Sequence, residues 1–253
     1  MLKLIFSDVD GTLVHEIKGE PNLIQLPEEK RYISRRALEL IGYINNKAPF
    51  VIITGRRKFG YEKLSKIAHS HALIEHGCVI LDDGKPDVGW ADTLKGAIGI
   101  LGHYNGLLWE YAAGLENIGY KTDYNGRLAS VRLFIDKPDD LTEIEKNELE
   151  KKVEKDVCHL LTTTRNQKML DLIPKLGGKL NAANFLMSKY NIARDETATL
   201  GDDANDEGMM LLLGFPLCPG NATEKIKAIV KKCSGYSSKY CYGPAFLLQV
   251  SGT

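Results

Sequence analysis

The 253-residue sequence is short of several things that would have pointed elsewhere. Its five cysteines (Cys78, Cys158, Cys218, Cys233, Cys241) are odd in number, scattered, and form no C-x-x-C pair. That argues against a zinc site and a disulfide framework and fits a reducing cytoplasm. No charge of one sign dominates: 33 Lys and Arg stand against 33 Asp and Glu. No nucleic-acid or membrane partner is therefore expected from charge. No apolar run reaches the roughly 20 residues that span a bilayer. The longest, Met209 to Cys218, is broken by Gly214 and Pro216. No charged leader precedes the first strand, so no signal peptide is expected, and there is neither an internal repeat nor a low-complexity segment. A chain of this length buries a substantial core as one large domain or two modest ones.

What is present begins at once, with LKLIFSDVDGTL from Leu2 to Leu13. Leu2, Leu4, Ile5 and Phe6 have the length and apolarity of a buried parallel strand. The run ends at Asp8-Val9-Asp10-Gly11-Thr12. Carboxylates two residues apart on extended backbone point the same way, and like charges so placed call for a cation or a shared proton between them. Gly11 permits a sharp turn behind them. Taken alone, a solvated Asp-Gly turn explains the pentapeptide equally well.

Residues 16 to 29, with Pro21 and Pro27, read as a surface loop. Ser34 then caps a helical pattern of Ala37, Leu38, Leu40, Ile41 and Ile44. Phe50 to Ile53 is a second buried strand, ending at Thr54-Gly55-Arg56. This strand, helix and strand make a βαβ unit and hence a parallel sheet. Ligands of such sheets sit beyond the carboxyl ends of the strands, so Asp8 and Thr54 should be neighbours. A helix is expected from Tyr61 to His69, then a strand at Ala72 to Ile74 leading to Glu75-His76-Gly77. Cys78 to Leu81 and Val88 to Trp90 read as a hairpin about Asp82-Asp83-Gly84.

Between about Lys85 and Lys168 the rhythm changes. A Gly-interrupted helical stretch runs from Thr93 to Asn117. Strand-like runs at Tyr120 to Tyr124 and Leu128 to Ile135 flank Asn125-Gly126, a hairpin signal. A charged amphipathic helix (Asp139 to Cys158) and strands at Leu160 to Thr164 and Met169 to Ile173 follow. The expectation is an α/β chain: a Rossmann-like doubly wound parallel-sheet core (1–84 and 169–253) with an inserted α+β cap domain (85–168). The parallel pattern resumes with a helix opened by Gly177-Gly178-Lys179, and then a strand, Thr197 to Leu200. That strand stops at Gly201-Asp202-Asp203-Ala204-Asn205-Asp206-Glu207. Beyond it come Phe215 to Cys218, Pro219-Gly220-Asn221-Ala222, a Lys-rich helix and a closing helix near Gly243 to Leu248.

The second acidic loop has two ordinary explanations. Asp and Asn cap helix N-termini; a calcium loop is disfavoured because Gly214 stands where the bidentate Glu would be needed. Lys179, Thr54 and Arg56 taken singly read as surface or strand-end residues.

In order, however, DVDGT, TGR, a Gly-preceded Lys and GDDAND, each of the first, second and fourth closing an apolar strand, resemble the haloacid dehalogenase superfamily of phosphohydrolases along the whole chain. DLIPKLGGKLNAANFL and PGNA resemble the branch whose α/β cap follows the TGR segment. That branch usually has Gly where this sequence has Leu180, a difference expected to touch packing more than chemistry. The cap layout resembles sucrose-phosphate, mannosyl-phosphoglycerate and phosphoglycolate phosphatases; EHG with GDD and NDE resembles trehalose-phosphate phosphatases.

The resemblance implies a phosphatase acting on a small phosphorylated metabolite, a sugar phosphate foremost. Asp8 would be the nucleophile passing through an aspartyl-phosphate, and Asp10 the general acid and then base. Thr54 would bond a phosphoryl oxygen, and Lys179 would offset charge. Thr54, Gly55, Arg56, Lys179 and Asn205 would surround the substrate. Mg2+ would be held by an Asp8 oxygen, the Asp10 backbone carbonyl and Asp202, with Asp206 joining directly or through water. Asp203 is left to capping. Within the cap, Ser130, Arg132 and Phe134 share a face. Arg132 would reach the remote part of the substrate if that face looked towards Asp8, although an exposed strand arginine is the commoner case; Arg165 and Asn166 stand in the same position. A phosphomutase or a non-catalytic sugar-phosphate binder would use the same scaffold. A dehalogenase needs neither Asp10 nor the metal loop.

Overall fold

The computed structural model describes residues 1–16, 22–27, 30–134, 142–157, 159–165 and 169–239. The expected closing helix, Asn166, Cys158 and Cys241 lie outside these residues. Leu4–Asp8 is a strand buried along its whole length and forms the centre of an eight-stranded sheet. It pairs in parallel with Phe50–Ile53 on one side and Thr197–Leu200 on the other. Parallel pairing continues outward to His71–Ile74 and to Phe215–Cys218, while Val79–Asp82 and Lys85–Pro86 close one edge antiparallel. Continuous apolar runs, rather than alternating ones, are what a sheet covered on both faces requires. The helix Arg35–Asn45 shows the local logic. Ser34 accepts a hydrogen bond from the Ala37 N–H at 3.0 Å, and Ala37, Leu40, Ile41 and Ile44 form its buried stripe.

A second sheet, four-stranded and antiparallel, takes Lys121–Asp123, Val131–Phe134, Leu161–Arg165 and Leu170–Pro174 in the spatial order third, fourth, second, first. Helices Val88–Ile98, Leu107–Glu116 and Glu143–Val157 accompany it. This inserted unit extends past the expected boundary at 168, because Leu170–Pro174 pairs with Val131–Phe134 and Leu161–Arg165 rather than joining the large sheet.

Other expectations are also corrected. Val88 to Trp90 opens a helix instead of a hairpin strand, because Asp87 caps it by accepting the Trp90 N–H at 2.8 Å. The stretch from Thr93 to Asn117 is two helices, broken at Gly99 and Gly102, both at positive φ. Asn125-Gly126 does turn the chain, Arg127 N–H donating to the Tyr124 carbonyl at 2.9 Å. The ladder, however, begins only at Asp123 and Arg132, so the connection is longer than two residues. The helix expected over Tyr61 to His69 is a short one at Lys58–Glu62. The supposed loop before Ser34 contains the strand Leu23–Gln25, paired with Tyr32–Ser34. Among the described residues no helix is long and apolar enough to cross a membrane.

Candidate active site

Because the strands run parallel, their carboxyl ends bring together residues far apart in sequence. Asp8 is the last residue of the central strand and Thr54 follows its neighbour. Gly201 to Asp206 follow the strand on the other side. Lys179 is the first residue of the helix Lys179–Lys189. Its Nζ donates to Asp8 Oδ1 at 2.5 Å and to Asp206 Oδ1 at 2.7 Å, with all three residues buried. Asp8 Oδ2 is buried and accepts nothing from the protein. Ligand oxygens of Asp8, Asp202 and Asp206 lie within 4.8 Å of one another.

One lysine thus faces three buried carboxylates. Burial pushes the Asp8 carboxyl well above the usual range; Lys179 opposes this, and the charges of Asp206 and Asp202 add to it. Burial, with the Asp206 charge, raises Asp202 to about 7. Burial alone would lower Lys179, but Asp206 and Asp8 outweigh it and hold the ammonium protonated. An excess of negative charge with an orphaned carboxylate oxygen is a donor set that fits a hard divalent cation.

The surrounding loops fix these groups. Thr12 Oγ1 donates to Asp202 Oδ1 at 2.7 Å, and Asn221 Nδ2 donates to the Gly11 carbonyl at 2.7 Å. Gly11 has φ 91°, and a Cβ there would collide with the Asp202 carboxylate. The second Asp206 oxygen accepts the N–H groups of Asp202 at 3.1 Å and Asp203 at 3.2 Å. Asp203 caps the following turn by accepting the Ala204 N–H at 2.8 Å, which agrees with its assignment to capping. Leu180 is partly buried against the core.

Asp10 and Arg56 sit against each other. The Asp10 carboxylate stands outside the buried acidic cluster and receives Arg56 Nε at 2.8 Å and Nη2 at 2.7 Å. Arg56 Nη1 also donates to the Gly60 carbonyl at 3.1 Å. Arg56 therefore grips Asp10 in the planar two-bond geometry that a guanidinium favours. Thr54 is 1% exposed; its Oγ1 accepts the Arg56 N–H at 3.1 Å, which leaves its own O–H to donate towards a ligand. Asp8, Asp10, Thr54, Gly55, Arg56, Asp202 and Asn205 all line one cavity of about 430 Å³.

The inserted unit closes the other side of that cavity with Asp123, Arg127, Arg132 and Met169. Arg132 is not the ordinary exposed strand arginine. It is half-buried and donates Nε and Nη2 to Asp171 at 2.9 and 3.2 Å. Arg165 pairs with Glu143 at 3.2 Å and is not among the cavity residues.

Nothing in the sequence gives Glu75-His76-Gly77 a role of its own. It joins the two units through three consecutive residues at positive φ, 51°, 60° and 87°, a backbone costly for Glu and His. The buried Glu75 carboxylate accepts the Leu128 N–H (2.7 Å), the Ala129 N–H (3.0 Å) and Ser130 Oγ (2.7 Å). His76 Nε2 meets Asp171 Oδ2 at 2.6 Å. Its ring lies against Gly55, where a Cβ would fall 2.5 Å from His76 Cε1. Burial alone would raise Asp171, but His76 and Arg132 outweigh it and hold that carboxyl far below the usual range. A Glu-His pair directly after the apolar strand His71–Ile74 was the available signal.

Comparison with known proteins points one way. A family model described as haloacid dehalogenase-like hydrolase matches residues 114–239. A phosphoglycolate phosphatase of Picrophilus torridus is 38% identical over 74 residues, 29% of this chain and 30% of that protein. The chain thus matches under a third of the length of this curated relative. A crystal structure from Thermoplasma acidophilum aligns over 100% of this chain and 98% of that one, with TM-score 0.73 and 20% identity. The sucrose-phosphatase of Synechocystis, solved with sucrose and phosphate, aligns over 100% and 98%, with TM-score 0.73 and 17% identity.

Proposed function

We propose that this chain, whose residues 114–239 match the haloacid dehalogenase-like hydrolases, is a magnesium-dependent phosphatase of a small phosphorylated metabolite, working through an aspartyl-phosphate. The observation that carries the reading is Asp8 itself. It ends the central strand, has one oxygen on Lys179, and has the other buried without a protein partner. A nucleophile needs such a free oxygen, and its environment must tolerate a phosphoryl group.

In the first step an Asp8 carboxylate oxygen forms a bond to phosphorus and the ester P–O bond breaks. The electron pair stays on the leaving oxygen, which takes a proton from Asp10. In the second step Asp10 takes a proton from water, whose oxygen attacks phosphorus. The bond from phosphorus to Asp8 breaks, releasing phosphate and restoring the Asp8 carboxylate and the protonated Asp10. Lys179 balances charge on Asp8 and on the transferring group, and Thr54 donates to a phosphoryl oxygen. Arg56 positions Asp10, so Asp10 must exchange one of its two guanidinium bonds to meet a leaving oxygen. Mg2+ would be held by Asp8, the Asp10 carbonyl and Asp202, and would supply charge neutralisation and orientation of the phosphoryl oxygens. Both Asp206 oxygens are already engaged, one by Lys179 and one by loop N–H groups, so Asp206 would join such an ion through water. The cap excludes bulk water. The relatives' names support two substrate classes, a phosphorylated acid and a sugar phosphate; the sequence favours the sugar. The scattered cysteines support a cytoplasmic setting.

The test is phosphate release from an aryl phosphate with Mg2+, with a chelator, and with Asp8→Asn. Release requiring both Mg2+ and Asp8 is the expected result. A folded, metal-binding protein that releases none would favour a mutase or a binder.

A further inference from the structure

We propose that Arg127, on the cap side of the cavity, binds a second anionic group of the substrate, a carboxylate. The molecule dephosphorylated is then a small phosphorylated acid rather than a neutral sugar phosphate. This rests on the phosphatase reading and assigns the far end of the same site.

Arg127 is 3% exposed and lines the cavity that Asp8 lines from below. Of its five side-chain N–H donors, one is used: Nη1 donates to Ser130 Oγ at 3.1 Å. Its Nε is buried and has no hydrogen-bond partner. Among the described residues no carboxylate forms an ion pair with it. The acids around it are engaged elsewhere: Asp171 by Arg132 and His76, Asp123 by Arg57, and the Glu75 oxygens by the Ser130 hydroxyl and the Leu128 and Ala129 N–H groups.

The neighbouring arginines are different. Arg57 faces Asp123 at 3.4 Å and the Asn125 carbonyl at 2.5 Å, and Arg132 is bidentate on Asp171. Each is directly paired with an acid of the protein; Arg127 has Asp171, Glu75 and Asp123 around it but none within ion-pair distance. A guanidinium withdrawn from water without a directly paired carboxylate is unfavourable unless a ligand supplies one, and its fork matches a carboxylate in a planar, two-bond arrangement.

The rest of the lining favours the same class. Eleven of its eighteen residues are Asp, Arg or Lys. The one aromatic ring, Phe59, is 58% exposed and lies beneath the Lys63 ammonium. Aromatic faces able to sandwich a pyranose are therefore lacking among the lining residues.

The experiment compares phosphoglycolate with ethyl phosphate, esters of matched size that differ by the carboxylate, on the full chain with Mg2+. The expected kcat/KM ratio is at least about tenfold in favour of the acid, the scale of one charge-assisted interaction. In Arg127→Met the ratio collapses towards one, and in Arg127→Lys it is partly kept. The same pair is then titrated onto the Asp8→Asn protein by calorimetry, where tighter binding of phosphoglycolate is expected without any chemistry. Equal kinetics and equal binding of the two esters by the unsubstituted and Asp8→Asn chains, or a preference that survives Arg127→Met, overturns the assignment. Failure to hydrolyse either ester or an aryl phosphate, with the binding preference intact, would instead contradict the phosphatase reading and leave the carboxylate site standing.

Discussion

Arg56 and Asp10, 46 residues apart, meet side by side, Nε to Oδ2 at 2.8 Å and Nη2 to Oδ1 at 2.7 Å. The TGR segment and the DVDGT turn are thereby one unit. Lysine carries the charge but not the fork. Arg56→Lys should lower kcat by about tenfold or more through misplacement of Asp10, with little change in KM. Steady-state kinetics on an aryl phosphate separate this from direct substrate binding, which would raise KM instead.

Among the described residues Lys179 is the one cation in the buried acidic cluster. Lys179→Met should cost about 3–5 kcal/mol in the absence of metal, the typical penalty for leaving a buried charge unpaired. It should also reduce kcat by roughly 10²-fold or more. Urea denaturation with a chelator present measures the first, and the aryl phosphate assay measures the second.

Metal addition gives a complementary prediction. An ion that binds only the folded chain stabilises it by about 2.7 kcal/mol at one hundred times its Kd, which raises Tm by on the order of 5–10 °C. Asp202→Asn should abolish most of that rise. An equal rise in the Asp202→Asn variant would place the ion elsewhere.

The tether between the units should be visible in acid. Burial opposes the ionised form of Asp171, but His76 and Arg132 prevail and its folded carboxyl lies far below the unfolded value of about 3.9. Its stabilising contribution is complete above that unfolded value and disappears as pH falls towards the folded one. Chemical denaturation between about pH 5 and pH 2 should therefore show stability falling more steeply in the natural chain than in Asp171→Asn.

Gly55 tests the packing beneath the same tether. A Cβ there would lie 2.5 Å from His76 Cε1 and 2.8 Å from Nε2, so Gly55→Ala should cost about 1–3 kcal/mol. Thermal unfolding should show it, with activity lost alongside as His76 and the TGR segment are forced apart.

Much of the core site was legible because its chemistry is written in short local motifs at strand ends. Asp8, Thr54, Lys179 and Asp202 each follow an apolar run or a glycine pair, and parallel topology then dictates that they converge. Less legible were contacts whose partners share no local pattern. Nothing in TGR alone says that Arg56 will take Asp10, and nothing in the hairpin sequence Asn125-Gly126-Arg127-Leu128 marks Arg127 as buried. Glu75 and His76 adopt a left-handed backbone that propensity disfavours, held by the inserted unit, so only tertiary structure reveals their use. Element edges failed for a similar reason. Val88 to Trp90 has strand-like residues, yet the Asp87 cap decides for helix.

The most direct measurement is mass spectrometry of the chain quenched in acid during turnover of an aryl phosphate with Mg2+. The account predicts one added phosphoryl group on Asp8, absent in Asp8→Asn, together with a fall in kcat of about 10³-fold or more in that variant. Hydrolysis that persists undiminished in Asp8→Asn, or a phosphoryl group on another residue, would contradict it.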